Sequence, residues 1–236
     1  MTLLSALQSA SIRLVGRKPA TFFGAVDTFE LELTDLSNEV AADIAKYLDW
    51  QALVRVGSIA ADGTRTAFDL PDDFDRMPVT GSVDDLTGTF WGYHAFASLN
   101  DFLLAQARDF SASPGGWVIY GNKVHFAPAP RTAASFPYVT KNWAIGDSTA
   151  TKPAFTADTD SFALSERLLT LGVVWRWREN KKLDASGDQE AFVKALDEEA
   201  AKDGGTRIIR RNARRGWPGT HVAYPWALGP STYVDH

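Results

Sequence analysis

The chain has no cysteine, which removes a disulfide framework and thiolate metal sites together and fits a fold matured in a reducing compartment. Its four histidines, His94, His125, His221 and His236, are too scattered for a local metal motif, and there is no HExxH. No G-x-S-x-G elbow, phosphate-binding Walker loop or dinucleotide fingerprint occurs, so the usual enzyme signatures are missing. No apolar run reaches the length of a membrane span, and Met1-Thr2-Leu3 lacks the basic n-region of a signal peptide, so membrane insertion and export by the usual route are not expected. No internal repeat of fixed period is visible. These absences predict no catalytic residues, no metal and no cofactor.

What is present is a globular balance of 45% hydrophobic and 22% charged residues over 236 positions, enough to bury roughly 70% of the unfolded surface. A formal net charge of −5 repels nucleic acid overall. The C-terminal end is set apart from this average. Arg207, Arg210, Arg211, Arg214 and Arg215 form a basic run, followed by a tail with Pro218, Pro225 and Pro230 among Trp217, Tyr224, Trp226 and Tyr233. Proline forbids a continuing helix and removes ladder donors, whereas Trp and Tyr gain most from entering a pocket on a partner. Such a tail has no core of its own, and residues 206–236 read as an extended docking arm. Arg207, Arg210, Arg211, Arg214 and Arg215 are placed to pair with acidic groups, with Trp217, Tyr224 and Trp226 as anchors.

Periodicity organises the rest. Leu3, Leu4, Leu7, Ala10 and Leu14 form one helical stripe ending near Gly16, and Val40, Ala41, Ile44, Tyr47 and Leu48 form a second, with Asp35 or Ser37 as its cap. From Gln51 the period falls to two. Leu53–Ile59 and Thr66–Leu70 predict a hairpin around Ala61-Asp62-Gly63, and Trp117–Tyr120 with Lys123–Phe126 predict a tighter one on Gly121-Asn122. A short helix is expected over Leu99–Arg108 with Asn100 as cap, a further strand over Phe136–Val139 and Trp143, and a polar linker over Thr149–Asp160. Helical pattern returns through Leu164, Leu168, Leu171, Val174 and Trp175. A last helix opens on Ser186-Gly187-Asp188-Gln189, which has capping-box spacing, and stops at Gly204-Gly205. The fold class is therefore α+β: a four-helix-type bundle with an inserted antiparallel β-rich region and an extended C-terminal arm. Its divisions are N-terminal helices over 1–50, the β-rich insertion over 51–157, C-terminal helices over 158–205, and the arm over 206–236.

Three constellations invite a sharper reading. Asp72, Asp73 and Asp75 could form a carboxylate site, but they follow Pro71 at a strand end without calcium-loop spacing, so turn residues are the plainer account. Eight tryptophans allow a carbohydrate-binding or carbohydrate-active protein as an alternative, although core and interface positions account for most Trp. Trp175 and Trp177 lie about 200° apart on one helix, one expected towards the core and the other towards a neighbouring element or subunit. The arginine run allows a nucleic-acid binder as a second alternative, yet no aromatic interleaves it as in single-strand binders.

One resemblance spans about Leu31 to Arg211. Leu36-Ser37-Asn38-Glu39-Val40 leading to Asp49-Trp50, then Phe68-Asp69-Leu70-Pro71-Asp72-Asp73-Phe74, then Gly121-Asn122 with Phe126-Ala127-Pro128, and finally Glu166-Arg167-Leu168-Leu169 with Trp175-Arg176 occur in order. This ordered set resembles the head-to-tail adaptor (connector) proteins of tailed bacteriophages, of the tail tubular A and portal-adaptor type. The resemblance implies a structural, non-enzymatic virion protein, made in the host cytoplasm and located in the neck. It implies a homo-oligomeric ring, commonly of twelve, with portal protein on one side, the next tail or nozzle protein on the other, and genomic DNA passing through without sequence recognition. It also implies that the C-terminal segment climbs into the portal, the task for which the arm is suited.

Overall fold

The apolar stripe of Leu3, Leu7 and Ala10 is buried in the first helix, α1 (Leu3–Val15). It ends where Gly16 turns left-handed at φ 71° and its amide reaches the Ile12 carbonyl, the conformation for which glycine carries no Cβ penalty. The computed structural model describes residues 2–86, 92–107 and 115–203; the expected arm, with all of its arginines and aromatic anchors, lies outside the described residues.

The second helix, α2 (Thr28–Tyr47), starts earlier than expected. Asp27 caps it by accepting from the Phe29 amide at 3.2 Å, and the inner stripe extends back through Leu36 to Leu33. Asp35 is exposed on the helix, while Ser37 is fully buried in mid-helix with its hydroxyl donating to the Thr34 carbonyl. Neither is a cap. Tyr47, expected on the inner face, is exposed, and its hydroxyl donates to Asp197 at 2.9 Å.

A 3-10 turn at Gln51–Leu53 leads into β1 (Val54–Ile59). The expected partner of β1 was β2 (Ala67–Asp69), but the two belong to different sheets. β1 runs antiparallel to β8 (Ala134–Thr140) in unbroken register from Val54↔Val139 to Ile59↔Ala134. Gly57 explains part of that preference: a Cβ there would stand 2.6 Å from Cζ of Phe136, so the strand without a side chain receives the facing ring. β8 is also edged by β3 (Phe74–Arg76) and β4 (Asp84–Asp85). The hairpin of β6 (Gly116–Tyr120) and β7 (Lys123–Ala127) forms as read. Gly121 and Asn122 have φ 57° and 59°, the paired positive values of a type I′ turn. β2 adds to the β7 side of this sheet, and β5 (His94–Ala95) joins β6 in parallel, so the insertion is mixed rather than purely antiparallel. The short helix α3 (Leu99–Ala107) is capped by Ser98, which accepts from the Asp101 amide at 3.1 Å, and not by Asn100.

Trp143 lies just outside the small sheet of β9 (Ala144–Ile145), β10 (Thr151–Lys152) and β11 (Ser161–Phe162). The expected polar linker is thus a packed strap. Phe155 is 2% exposed and meets Trp143 edge-on at 4.8 Å. The chain ends its described part in α4 (Glu166–Asn180) and α5 (Ser186–Asp203). Asp184, two residues before the expected cap Ser186, accepts from the Ser186 amide and hydroxyl at 3.1 and 2.7 Å.

α4 is the shared helix of the helical half, packing on α1, α2 and α5. Leu168, Leu169 and Val173 fill this core with Leu7, Ile44 and Leu196. At Gly172 an added Cβ would overlap Val40 of α2 and the Phe192 ring of α5. Replacing Leu168, 1% exposed, by Ala should lower stability by about 2–5 kcal/mol as a buried large-to-small change; an unchanged denaturant midpoint would place the residue outside the core. Gly172→Val should cost about 1–3 kcal/mol by overpacking, and adding Val40→Ala should recover part of that loss. A second apolar core, including Phe68, Trp117, Phe126 and Phe136, fills the β-rich half. β8 belongs to both, giving Val139 to the helical core and Phe136 and Tyr138 to the other.

Candidate functional site

The arm residues expected to bind a partner, Arg207 to Arg215 with Trp217, Tyr224 and Trp226, lie outside the described residues, so the site geometry begins with the other constellations. The aspartates after Pro71 diverge. The Asp73 carboxylate accepts from the Tyr138 hydroxyl and the Thr140 hydroxyl, both at 2.8 Å. Burial would raise its pKa, but these two donors together with a backbone hydrogen bond and the charge of Arg55 outweigh it and hold the carboxyl below its ordinary value. The Tyr138 phenol is pushed up to about 12 by burial and then by the neighbouring carboxylate. Asp75 instead pairs with Arg76 at 2.6 Å, and Arg76 reaches back to Asp49 and the Leu48 carbonyl, both at 3.0 Å. Asp73 thus ties the strand β8 to the turn before β3, and Arg76 ties β3 to the exit of α2. Among the described residues no group of three or more His, Cys, Asp or Glu could hold a metal ion.

The described tryptophans have their polar edges or faces occupied. Trp50 donates to the Ile44 carbonyl at 2.7 Å and Trp117 to the Tyr93 carbonyl at 3.2 Å, both buried. Trp175 stacks on Phe192 of α5, and Trp177 sets its ring against Phe29 of α2 while donating to Glu32 at 3.0 Å. Both helical tryptophans therefore serve packing between helices. His125 lies flat on Tyr120 with ring centres 3.7 Å apart, its pKa lowered by burial. His94 contacts Phe96 edge-on.

Sequence reading missed the aspartates of the strap. Asp158 accepts from the amides of Phe22 and Phe23 at 3.1 Å, and Asp160, 1% exposed, accepts from the amides of Thr156 and Ala157 at 2.7 and 3.0 Å and from Lys152 at 2.8 Å. Their backbone carbonyls receive the amides of Leu4 and Leu3. The available signal was Asp-Thr-Asp set between Phe155 and Phe162, acids bracketed by residues that belong in a core. Asn38, in the first motif of the resemblance, grips the same strap by both amide atoms, accepting from the Phe155 amide at 2.8 Å. The motif residues Asn38, Asp49 and Asp73 thus all act as ties between distant segments.

Ties of this kind, rather than a catalytic cluster, are what the ordered motifs specify, and the comparison with protein families matches that pattern: the family described as SU10 adaptor protein fits residues 1–222. The chain belongs to the SU10 adaptor protein family. A comparison with curated proteins finds no match. The SU10 adaptor family makes the chain a structural adaptor protein of bacteriophage, and no helix among the adaptor's described residues is long and apolar enough to cross a membrane. The match runs through Arg207, Arg210, Arg211, Arg214, Arg215 and Trp217 of the expected arm and stops before Tyr224 and Trp226.

Proposed function

We propose that this adaptor forms a ring in the virion neck, seated on the portal protein, offering a platform to the next tail or nozzle protein and lining the passage for genomic DNA. The family match over residues 1–222 is the observation that carries this reading. In it, residues 1–50 and 158–205 act together as a four-helix bundle and 51–157 project as the β-rich insertion. Residues 206–236 engage the portal through Arg207, Arg210, Arg211, Arg214, Arg215, Trp217, Tyr224 and Trp226. The ring has about twelve copies, after the resemblance. Two features support the division of labour. β8 gives residues to both cores, so a load on the helical half reaches the β-rich half through a continuous backbone. The net charge of −5 suits a wall that must not hold DNA, since a basic surface would bind phosphate at any sequence. The protein acts as a structural part, with its acids employed in ties rather than in turnover.

Mixing the full chain with portal-bearing heads and weighing the product tests the reading. A mass increase of many chain equivalents per portal is the expected result. A single copy per portal, or affinity for glycans shown by a small free species, would overturn it in favour of an isolated binding module.

A further inference from the structure

We infer that the acidic outer stripe of α2 in one copy docks into the serine-floored, arginine-rimmed groove between α1 and α4 of the next copy. The inference rests on the ring reading and names the surfaces that would join its subunits. α1 and α2 reach α4 from opposite sides. The Thr170 hydroxyl donates to the Ala6 carbonyl of α1 at 3.3 Å, whereas α2 closes on Gly172 and its Asp43 pairs with Arg176 at 3.0 Å. Positions 170 and 172 point about 200° apart on a helix, so the outward faces of α1 and α2 lie on different flanks.

On one flank, Leu31, Asp35 and Glu39 are exposed on α2 at successive four-residue steps. The neighbouring acids already have cations or donors within the chain: Glu32 takes Lys181 and Trp177, and Asp43 takes Arg176. Asp35 and Glu39 have no hydrogen-bond or ion-pair partner among the described residues. On the other flank a groove of about 650 Å³ is lined by Ser5, Ser9 and Arg13 of α1 at the same four-residue steps, facing Arg167 and Thr170 of α4. Its charged lining is Arg13 and Arg167 against Glu166, two positive groups and one negative, a net of one positive. Arg13 too has no partner among the described residues. Among the described residues Arg167 has only Glu198 at 4.0 Å, with both side chains about half exposed or more.

The two surfaces match in three respects. Each is a ridge of i, i+4, i+8 positions, which interdigitates with another of its kind at a preferred crossing angle. Serine side chains leave room for a helix to approach, and Leu31 can meet Ile12, which is 51% exposed beside Arg13. Asp35 and Glu39 of one copy are opposite in sign to Arg13 of the next and to its Arg167, which is held only by the exposed pair with Glu198 among the described residues. Because the two patches are different surfaces of one chain, the contact is head to tail, the kind that repeats into a closed ring when the rotation per step divides the circle.

Charge reversal on the full chain, read as ring assembly on portal-bearing heads, tests this. Asp35→Arg with Glu39→Arg should reduce ring assembly by roughly a hundredfold or more, because like charges then face each other, and so should Arg13→Glu with Arg167→Glu. Combining all four should return assembly to within about tenfold of the parent, the pairing being re-formed with signs exchanged. A second measurement uses the absence of native cysteine. Ser9→Cys with Asp35→Cys in one chain should give a ladder of oxidised species up to ring size, and neither substitution alone should give more than uncrosslinked chain. Full rings from the reversed stripe, or rings without a ladder, overturn these surfaces and leave the ring reading intact. A single copy of the unaltered chain per portal overturns both. If a reversal variant shows a shifted thermal midpoint, the ladder alone decides.

Discussion

A chain ending at Gly216 should unfold at the same denaturant concentration as the full protein yet attach to portal-bearing heads at least a hundredfold more weakly. The first half of this expectation follows from where the cores are. Every buried apolar residue of both described cores lies between Leu3 and Leu196, so removing the residues after Gly216 takes away none of them. The second half follows from what is removed. Trp217, Tyr224 and Trp226 are the anchor types of interfaces, where single truncations reach about 2 kcal/mol or more, and three such losses exceed a hundredfold even with strong non-additivity. The arginines remain in this truncation, which separates anchoring from charge. If the shortened chain binds heads as well as the parent, the arm is not the portal contact; if it unfolds, the arm belongs to the fold.

Replacing Asp160 with Ala should destabilise the helical half by about 2–5 kcal/mol, most of it from donors left without an acceptor. Two backbone amides, those of Thr156 and Ala157, end on this carboxylate. Lys152 is the smaller part, because its side chain is 27% exposed and can turn to water once its partner is gone. The same group predicts acid sensitivity. Burial would raise the Asp160 pKa, but Lys152 and the two amides outweigh burial and hold it below the ordinary value of 3.8. A carboxylate bound more strongly in the folded state contributes its stability fully above the unfolded pKa and loses it as pH falls through the lower folded value. Asp73 is shifted in the same direction. Unfolding free energy should therefore decline below about pH 4, and Asp160→Asn should flatten that decline while lowering stability at neutral pH. A pH series of denaturant midpoints on the two proteins checks both signs; an unaltered slope would show that Asp160 is not tied in the folded state.

Local signals were legible where chemistry and geometry meet within a few residues. Gly121-Asn122 needs two positive φ values and has the two residue types that tolerate them, and Gly16 ends α1 by the same logic. Local signals mislead where a short signal competes with a distant partner. Asp35 and Ser37 are good caps by type, yet Leu33 and Leu36 continue the buried stripe and move the start back to Asp27. Ile59 and Phe68 bracket a turn-like segment, but β1 finds in β8 a partner with a ring to fill the space over Gly57, and sequence gives no direct reading of that pairing. The strap reads as a linker by its polar residues, yet Phe155 within it and Phe162 just after it belong to the helical core. As for function, the ordered motifs pointed to the adaptor family, and three of their polar residues, Asn38, Asp49 and Asp73, are ties within the fold.

The strap also sets an order of events. α1 has no side-chain cap at Thr2; its first amides end on the carbonyls of Asp158 and Asp160. This helix is thus completed by residues made more than 150 positions later, a delay of about 8–30 s at common synthesis rates. Until then its buried face, Leu3, Leu7 and Ala10, has neither cap nor cover from α4. The helical half therefore closes only after the β-rich half has been produced. The path of the backbone thus delays the securing of an early helix until the strap has been made.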